Sequence, residues 1–219
     1  MDEQIWTDVD AYIGEHLGLA DAALDATLSS SQAAGLPEIA VSPPQGKLLM
    51  LLAASLGAKR ILEIGTLGGY STIWLARALP SDGELITCEY SSEHALVARK
   101  NVDGAGVGRL VDIRIGSAID TLPTLTAPFD LTFVDADKEG NAAYFRWAVQ
   151  LSRPGSLIII DNTVRGGAIV DSSRDDPATQ GTRALYVAVK DEPRVSATVI
   201  QTVGSKGYDG FLLARVLDD

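Results

Sequence analysis

The chain has 219 residues, which fits one α/β domain with an added N-terminal segment and leaves little room for two independent domains. Hydrophobic residues make up 46% of it, as in ordinary globular proteins, and no apolar stretch reaches the roughly 18 residues that span a bilayer. Its 29 acidic and 18 basic residues give a formal charge of −11, which disfavours a nucleic-acid partner because phosphate-binding surfaces are normally basic.

The start of the chain and its cysteine content predict a cytoplasmic protein. Residues Met1 to Trp6 have neither the basic nor the apolar region of a secretory signal. The single cysteine, Cys88, lies in a predicted strand and has no second cysteine with which to form an internal disulfide. We therefore expect a cytoplasmic protein that acts on a small molecule, with no membrane and with nucleic acid disfavoured as a partner.

Residues 1–45 are predicted to form a helical cap on a core of residues 46–219, within a single domain of residues 1–219. Val9, Ile13 and Leu17 recur at helical spacing, and so do Leu24 and Leu28. Such a stripe is typical of a helix packed on a core, and it also suits a wall of a substrate pocket or a dimer face. The pattern leaves these alternatives open.

Helices and strands alternate after the Ser42-Pro43-Pro44 break, where either proline suits the first turn of a new helix. The predicted elements are helix Gln45–Leu56, strand Arg60–Ile64, helix Tyr70–Leu79, strand Glu84–Glu89, helix Ser92–Ala105, strand Val111–Ile115, a short helix ending at Leu122, strand Phe129–Val134, helix Asn141–Leu151 and strand Ser156–Ile160. This alternation predicts a parallel, doubly wound sheet with right-handed crossovers.

The last part of the chain departs from this alternation. Residues 164–181 are rich in Gly and Asp without periodicity and are predicted to be a mobile loop, followed by a helix over Thr182–Lys190. Strands Arg194–Val203 and Tyr208–Val216 are joined by four residues, too few for a parallel crossover. The predicted fold is therefore α/β and Rossmann-like, a doubly wound sheet whose last strand is antiparallel.

Two apolar strands each end on acidic or amide side chains. Asp135 and Asp137 follow one of them, and Asp161 and Asn162 follow the next. The carboxyl ends of parallel strands meet at one edge of a sheet, so these side chains should converge. Oxygen donors without His or Cys suit Mg²⁺, with Mn²⁺ or Ca²⁺ as competitors, and do not suit zinc. The alternative is that the acids only cap the next helix or begin a loop.

A glycine-rich loop with two flanking glutamates predicts a nucleoside site. Gly65, Gly68 and Gly69 follow the first parallel strand and open a helix, but the middle glycine of the dinucleotide fingerprint is missing. Glu63 would repel a pyrophosphate and favours a cationic, phosphate-free ligand such as S-adenosylmethionine. Glu89 ends the second strand, where an acid accepts hydrogen bonds from ribose hydroxyls. The alternative is a tight turn beside two solvated glutamates.

The motifs Glu63-Ile-Gly-Thr-Leu-Gly-Gly-Tyr-Ser71, Phe129-Asp-Leu-Thr-Phe-Val-Asp-Ala-Asp-Lys138 and Asp161-Asn-Thr163 resemble, in that order, the cation-dependent class I O-methyltransferases. That family includes catechol and caffeoyl-coenzyme A O-methyltransferases. The closing Lys206-Gly-Tyr-Asp-Gly-Phe211 resembles the hairpin of its bacterial members. The resemblance implies a seven-stranded sheet with a reversed final strand, and a homodimer.

The resemblance also implies roles for individual residues. Asp135, Asp161 and Asn162 match the family's metal ligands, and Lys138 matches the lysine that acts as the base in catechol enzymes. The residues that it implies at the cofactor are Val41, Glu63, Gly65, Thr66, Ser71, Glu89, Tyr90, Ser117, Ala118, Asp135 and Asp137. Gly166 stands where the plant enzymes have a substrate-contacting Asn, which disfavours a coenzyme A ester substrate.

Together these features predict an O-methyltransferase that uses S-adenosylmethionine and Mg²⁺ on a small hydroxylated aromatic compound resembling catechol. Two alternatives stay open at this stage: the same chemistry on a tRNA base hydroxyl, and a non-catalytic nucleotide-binding regulator. For Lys138, the alternative to a catalytic base is a solvated residue at the start of a helix. A serine hydrolase is disfavoured, because the chain has no G-x-S-x-G elbow and both of its histidines lie on predicted helices.

Overall fold

A computed structural model of the chain describes residues 3–218. Met1 and Asp2, part of the stretch expected to lack a signal sequence, lie outside the described residues, as does Asp219. The helices are α1 (Glu3–Leu17), α2 (Ala22–Ala33), α3 (Pro43–Leu56), α4 (Tyr70–Ala76), α5 (Ser92–Gly104), the single turn α6 (Ala118–Thr121), α7 (Asn141–Gln150) and α8 (Pro177–Lys190). The strands are β1 (Arg60–Ile64), β2 (Glu84–Glu89), β3 (Val111–Ile115), β4 (Phe129–Val134), β5 (Ser152–Ile160), β6 (Val195–Gly204) and β7 (Gly207–Val216).

The strands form one seven-stranded sheet in the order β3-β2-β1-β4-β5-β7-β6. The five strands from β3 to β5 are parallel, and β7 runs antiparallel to both β5 and β6. The predicted fold class, with its reversed last strand, is confirmed. The order changes direction between β1 and β4, so the loops that follow these two strands open a crevice at the carboxyl edge of the sheet.

Apolar side chains that alternate along the central strands fill a core on each face of the sheet. On one face, Ile61 and Phe133 pack with residues of α3, α4 and α5. On the other, Leu62 and Val134 pack with residues of α7 and α8. Because both faces are covered, every residue of β4 is buried. This two-sided packing fixes the heights at which the strands end, and therefore the positions of the polar residues that follow them.

The predicted mobile loop over residues 164–181 is wrong in two respects. Helix α8 begins at Pro177, five residues earlier than predicted, because the Asp176 side chain accepts from the backbone N–H of Thr179 and Pro177 occupies the first turn. The rest of the segment is anchored by Arg183, whose guanidinium donates to the carbonyl oxygens of Ala168, Ile169, Asp171 and Arg174. A single arginine thus orders a segment that has no apolar periodicity.

Two other element boundaries differ from the prediction by three residues or more. Strand β5 begins at Ser152 and not at Ser156, because its first residues pair with Phe129 beside an irregularity in register. Arg153 supports this early start through hydrogen bonds from Nε (3.0 Å) and Nη2 (2.6 Å) to Asp130 Oδ1. Helix α4 ends at Ala76, three residues before the predicted end.

The two N-terminal helices behave differently. Leu24 of α2 is buried, and an ion pair between Arg77 and Asp21 ties the start of α2 to the end of α4 at 2.7 Å. Helix α1 buries none of its residues, and Val9 and Leu17 of its predicted stripe are 48% and 68% exposed. Over residues 3–218, no helix is long and apolar enough to cross a membrane.

Candidate active site

A cavity of about 1110 Å³ runs along the carboxyl edge of the sheet. Its walls follow the strand order: Ser117 comes after β3, Glu89 ends β2, Gly65 follows β1, Asp135 follows β4 and Asn162 follows β5. The predicted site residues that line it are Val41, Gly65, Thr66, Ser71, Glu89, Tyr90, Ser117, Ala118, Asp135, Asp137, Lys138 and Asn162. Glu63 and Asp161 are not on its wall and lie buried behind it.

The glycine-rich loop passes so close to the end of β4 that only glycine fits at Gly65. This residue has φ +102°, and an added Cβ would overlap the backbone carbonyl oxygen of Asp135. Gly69 is the left-handed residue from which α4 starts. The backbone N–H groups of Thr66 and Leu67 both donate to Glu89 Oε2, at 3.2 and 2.8 Å. Glu89 therefore fixes the shape of the loop.

The loop is also held from outside by residues that the sequence analysis missed. Asn101 of α5 donates from Nδ2 to the carbonyl of Gly68 at 2.8 Å, and its Oδ1 accepts from Ser30 of α2 at 2.6 Å. Ser31 packs so tightly on Gly68 that a Cβ there would overlap its hydroxyl. Helix α2 thus clamps the loop. These contacts join residues far apart in sequence, and no local motif indicates them.

Glu63 is fully buried, and its carboxylate accepts hydrogen bonds from two hydroxyls at the start of α4. Ser71 Oγ donates to one carboxylate oxygen at 2.7 Å and Thr72 Oγ1 to the other at 2.5 Å. Burial raises the pKa of Glu63 from 4.5 to about 7, and these hydroxyls and nearby Asp135 have smaller effects. The alternative of a solvated Glu63 is wrong. Its predicted contribution to cofactor binding stays a prediction.

The end of the cavity formed by β2 and β3 offers the features of a nucleoside site. Glu89 is only 7% exposed, so the alternative of a solvated glutamate is wrong here too. Its second carboxylate oxygen, Oε1, accepts from the backbone N–H of Ser91 at 2.9 Å and lies 3.4 Å from Nδ1 of His94. The exposed Tyr90 ring flanks the opening, opposite Ser117 and Ala118. The Glu89 carboxylate can accept hydrogen bonds from hydroxyl groups, and the Tyr90 ring can cover a flat base.

Asp137 has a structural contact as well as its place in the cavity. Its Oδ2 accepts from the N–H of Gly140 at 2.9 Å, so the cap that was the alternative interpretation is present. Its Oδ1 accepts from the Tyr144 hydroxyl at 2.6 Å. Burial, reinforced by Asp137, raises the pKa of Tyr144, so this tyrosine stays protonated and acts as a donor. Tyr144 lines the cavity and was not predicted.

Two carboxylates and one amide converge between β4 and β5. Asp161 is buried, and burial together with the charge of Asp135 raises its pKa to about 7. Gln45 of α3 hydrogen-bonds to Asp161, a contact absent from the sequence analysis. Asn162 has φ +56°, a left-handed conformation that Asn tolerates better than most residues.

The chemistry of this group fits a hard divalent cation. Within residues 3–218, no cluster of three His, Cys, Asp or Glu side chains is placed to hold a metal, so Asn162 has to complete the set. Two mutually repelling carboxylates with an amide oxygen are the ligands that Mg²⁺ and Ca²⁺ prefer, and a bound cation would remove the repulsion. Asp135, Asp161 and Asn162 are thus the residues that could hold it.

Lys138 lies at the same end of the cavity and contacts Asp135 directly. Its Nζ donates to Asp135 Oδ1 at 2.8 Å, and its side chain is only 10% exposed. The alternative of a solvated lysine is therefore wrong. Gly181 of α8 packs against the backbone of residues 138 and 139, so closely that a Cβ would overlap the carbonyl oxygen of Lys138. The position of Lys138 thus depends on helix α8, which starts earlier than predicted.

Comparisons with known proteins agree with this arrangement. A family model described as O-methyltransferase matches residues 20–217. The chain is 52% identical to a catechol O-methyltransferase of Niastella koreensis over 99% of this chain and all of that protein, and 53% identical to one of Mycobacterium tuberculosis over 95% of each. It is similar to the crystal structure of the O-methyltransferase TomG of Streptomyces achromogenes in complex with SAM, with 49% identity, full coverage of both chains and a TM-score of 0.96.

The raised pKa of Glu63 predicts a pH-dependent stability. Between about pH 4.5 and 7 the folded protein keeps a proton that the unfolded chain releases, so the free energy of unfolding should fall as the pH rises through this window. Glu63→Gln removes the titration. Urea unfolding should show that wild type loses on the order of 3 kcal/mol relative to this variant between pH 4 and 8.

The exposed Glu15→Gln serves as the control and should follow wild type at every pH. A constant difference between wild type and Glu63→Gln over this range would contradict the raised pKa.

Proposed function

The chain belongs to the O-methyltransferase family and is an S-adenosylmethionine-dependent O-methyltransferase, and we propose that it methylates a small catechol-like aromatic compound with the help of a divalent cation. One observation carries the proposal: the oxygen ligands of Asp135 and Asn162 share a cavity with Lys138 and with the glycine-rich loop, and Asp161 lies buried just behind them. The names of the two similar relatives support a catechol as the acceptor.

S-adenosylmethionine supplies an activated methyl group on a positively charged sulfur. We assign Glu89 to the ribose hydroxyls and Tyr90, Ser117 and Ala118 to the adenine. Gly65 and Thr66 let the ligand approach the backbone, and Val41 covers it from the N-terminal side. Asp137 lies on the cavity wall just after the end of β4. The contribution of these residues is positioning, because the methyl group already has a good leaving group.

A dication, Mg²⁺ in our proposal with Mn²⁺ or Ca²⁺ as substitutes, would bind to Asp135, Asp161 and Asn162 and lower the pKa of an acceptor hydroxyl beside it. Lys138 then completes the reaction centre. Its Nζ hydrogen-bonds to Asp135 at 2.8 Å, so it is held at the place where an acceptor hydroxyl must lose its proton. We assign Lys138 Nζ, in its neutral amine form, as the group that takes this proton; a dication bound at Asp135 would favour that form by repelling the ammonium.

We also propose that the protein is a homodimer and that residues 1–45 form a cap. Helix α1 packs beside β6, the edge strand of the sheet, and both leave apolar side chains exposed. The exposed apolar residues on these two elements are Ile5, Val9, Tyr12, Leu17, Ile200 and Val203. Asp10 accepts from the backbone N–H and the hydroxyl of Ser205, which links the two elements into one surface. A second copy of the chain would cover it.

Removal of the metal is the first test of the proposed function. Treatment with EDTA should lower the turnover of 1,2-dihydroxybenzene by about 100-fold or more, and Mg²⁺ should restore it. Asp161→Asn should show a comparable loss, whereas the exposed Asp175→Asn should not. Calorimetry should show S-adenosylmethionine bound by the chelated enzyme within about threefold of its normal affinity, because the proposed metal ligands serve the acceptor. Full turnover after exhaustive chelation would contradict the proposal.

Replacement of Lys138 tests the proton acceptor. Lys138→Ala should lower kcat by about 10²–10⁴-fold, the usual effect of losing a positioned base, and higher pH should restore part of the rate. The affinity for Mg²⁺ should not fall, because the variant removes a cation that competes for Asp135. Lys190→Ala, at the exposed end of α8, is the matched control. Near wild-type turnover of Lys138→Ala from pH 6 to 9 would show that the lysine is not the base.

The oligomeric state tests the exposed surface. Sedimentation should show a dimer for wild type and a shift towards monomer for Val9→Glu, because a buried, unpaired charge opposes association. Leu96→Glu replaces an exposed leucine on α5, away from α1 and β6, and should stay dimeric. A monomeric wild type, or a fully dimeric Val9→Glu, would refute this assignment.

A further inference from the structure

Three basic side chains, Lys138, Arg165 and Lys206, line one cavity in a chain whose formal charge is −11. Along the sheet edge, the nucleoside features lie at β2 and β3, and Lys138 marks the reaction centre after β4. Beyond it the cavity wall contains Arg165, three residues after Asn162, and Lys206 at the tip of the β6–β7 hairpin. Two further cations therefore lie on the side of the reaction centre away from the cofactor.

The backbone at Arg165 is held in place by a carboxylate. Asp209 Oδ1 accepts from the backbone N–H groups of Val164 (3.0 Å), Arg165 (2.8 Å) and Gly210 (2.9 Å). Arg165 has φ +58°, a left-handed conformation that is costly for a residue with a long side chain. Asp209 thus stabilises a turn that places Arg165 at the cavity. The Oδ1 atom of Asp209 binds backbone N–H groups and not the Arg165 guanidinium.

The guanidinium of Arg165 lacks a partner. Its Nε is shielded from solvent and has no hydrogen-bond acceptor among residues 3–218, and no carboxylate in that range forms an ion pair with it. The carboxylate of Asp176 accepts hydrogen bonds from the N–H and the hydroxyl of Thr179, and these bonds lower its pKa. Arg165 is near enough to contribute to this lowering, but it forms no ion pair with Asp176. The charge of Arg165 is therefore not neutralised by an ion pair within residues 3–218, and an anionic ligand in the cavity would be attracted to it.

Lys206 contacts a backbone carbonyl and forms no ion pair within residues 3–218. Its Nζ donates to the backbone carbonyl of Glu38 at 3.1 Å, which holds the hairpin tip against the segment between α2 and α3. The Glu38 carboxylate accepts from Gln32 Nε2 at 2.9 Å instead. Lys206 therefore adds positive potential at the cavity wall without being neutralised by an ion pair there.

We infer that the methyl acceptor carries a carboxylate and that Arg165 binds it as the specificity-determining residue. A guanidinium presents its two Nη donors in a flat fork that matches the two oxygens of a carboxylate, and such paired hydrogen bonds are strong when partly shielded from water. Lys206 adds attraction without direct contact. The inference rests on the proposed catechol-type function and narrows it to aromatic acids with adjacent hydroxyls.

The test compares two probes, 3,4-dihydroxybenzoate and its methyl ester, in which one methyl group removes the negative charge. Calorimetry measures the binding of each to the enzyme with S-adenosylhomocysteine and Mg²⁺, where no turnover occurs, and kcat/KM is measured separately with S-adenosylmethionine. Wild type should favour the acid over the ester by about tenfold or more in both measurements. Arg165→Met should abolish this preference by weakening the acid about 10- to 100-fold, with a change below about threefold for the ester.

Arg146→Met removes the same charge from an exposed position on α7 and should keep the wild-type preference. Equal binding of acid and ester by wild type, or an unchanged preference in Arg165→Met, would overturn the carboxylate subsite while leaving the catechol function intact. Failure of wild type to bind or methylate either probe would instead overturn the catechol function, and this inference with it.

Discussion

The close pair of Asp135, which lines the cavity, and Asp161, which is buried, is the constraint on which the rest of the site depends. Two strands buried on both faces end at the same height and place these carboxylates beside each other, where Asp161 is shielded from water. Lys138 compensates part of the charge through its 2.8 Å contact with Asp135. An arrangement that is unfavourable for a protein without a cation would be favourable once a cation bound, which is the role proposed for the polar residues that follow these apolar strands.

The glycine-rich loop is coupled to the same pair through the backbone. Gly65 lies against the backbone carbonyl of Asp135, so the backbone of the proposed methyl-donor site directly contacts the backbone of a proposed metal ligand. Glu89 accepts a hydrogen bond from the loop backbone, and Glu63 accepts one from Ser71 just after the loop. Asn101 of α5 donates to the loop and links it to α2. The transfer of a methyl group needs donor and acceptor in line. In the proposed complex this alignment would rest on packed backbone more than on long, flexible side chains.

The sequence predicted most of what depends on local pattern. Alternation of strands and helices indicated the sheet, and acids at strand ends indicated which residues converge, since both follow from the periodicity and geometry of parallel strands. It did not predict contacts between distant residues, such as Arg183 ordering the 164–174 segment or Gln45 binding Asp161. The alternatives of a solvated Glu63 and a solvated Lys138 are wrong, because both side chains are enclosed by elements whose packing no local motif reveals.

The most direct test of this account is the position of the metal. A crystal of the protein grown with S-adenosylhomocysteine and Mn²⁺, measured at a wavelength where manganese scatters anomalously, locates the ion without reference to activity. The account predicts one strong peak among the side-chain oxygens of Asp135, Asp161 and Asn162, at about 2.0–2.3 Å from each, with Lys138 displaced from Asp135. No peak at these residues, or a peak held by other side chains with the Asp135–Lys138 ion pair intact, would contradict it.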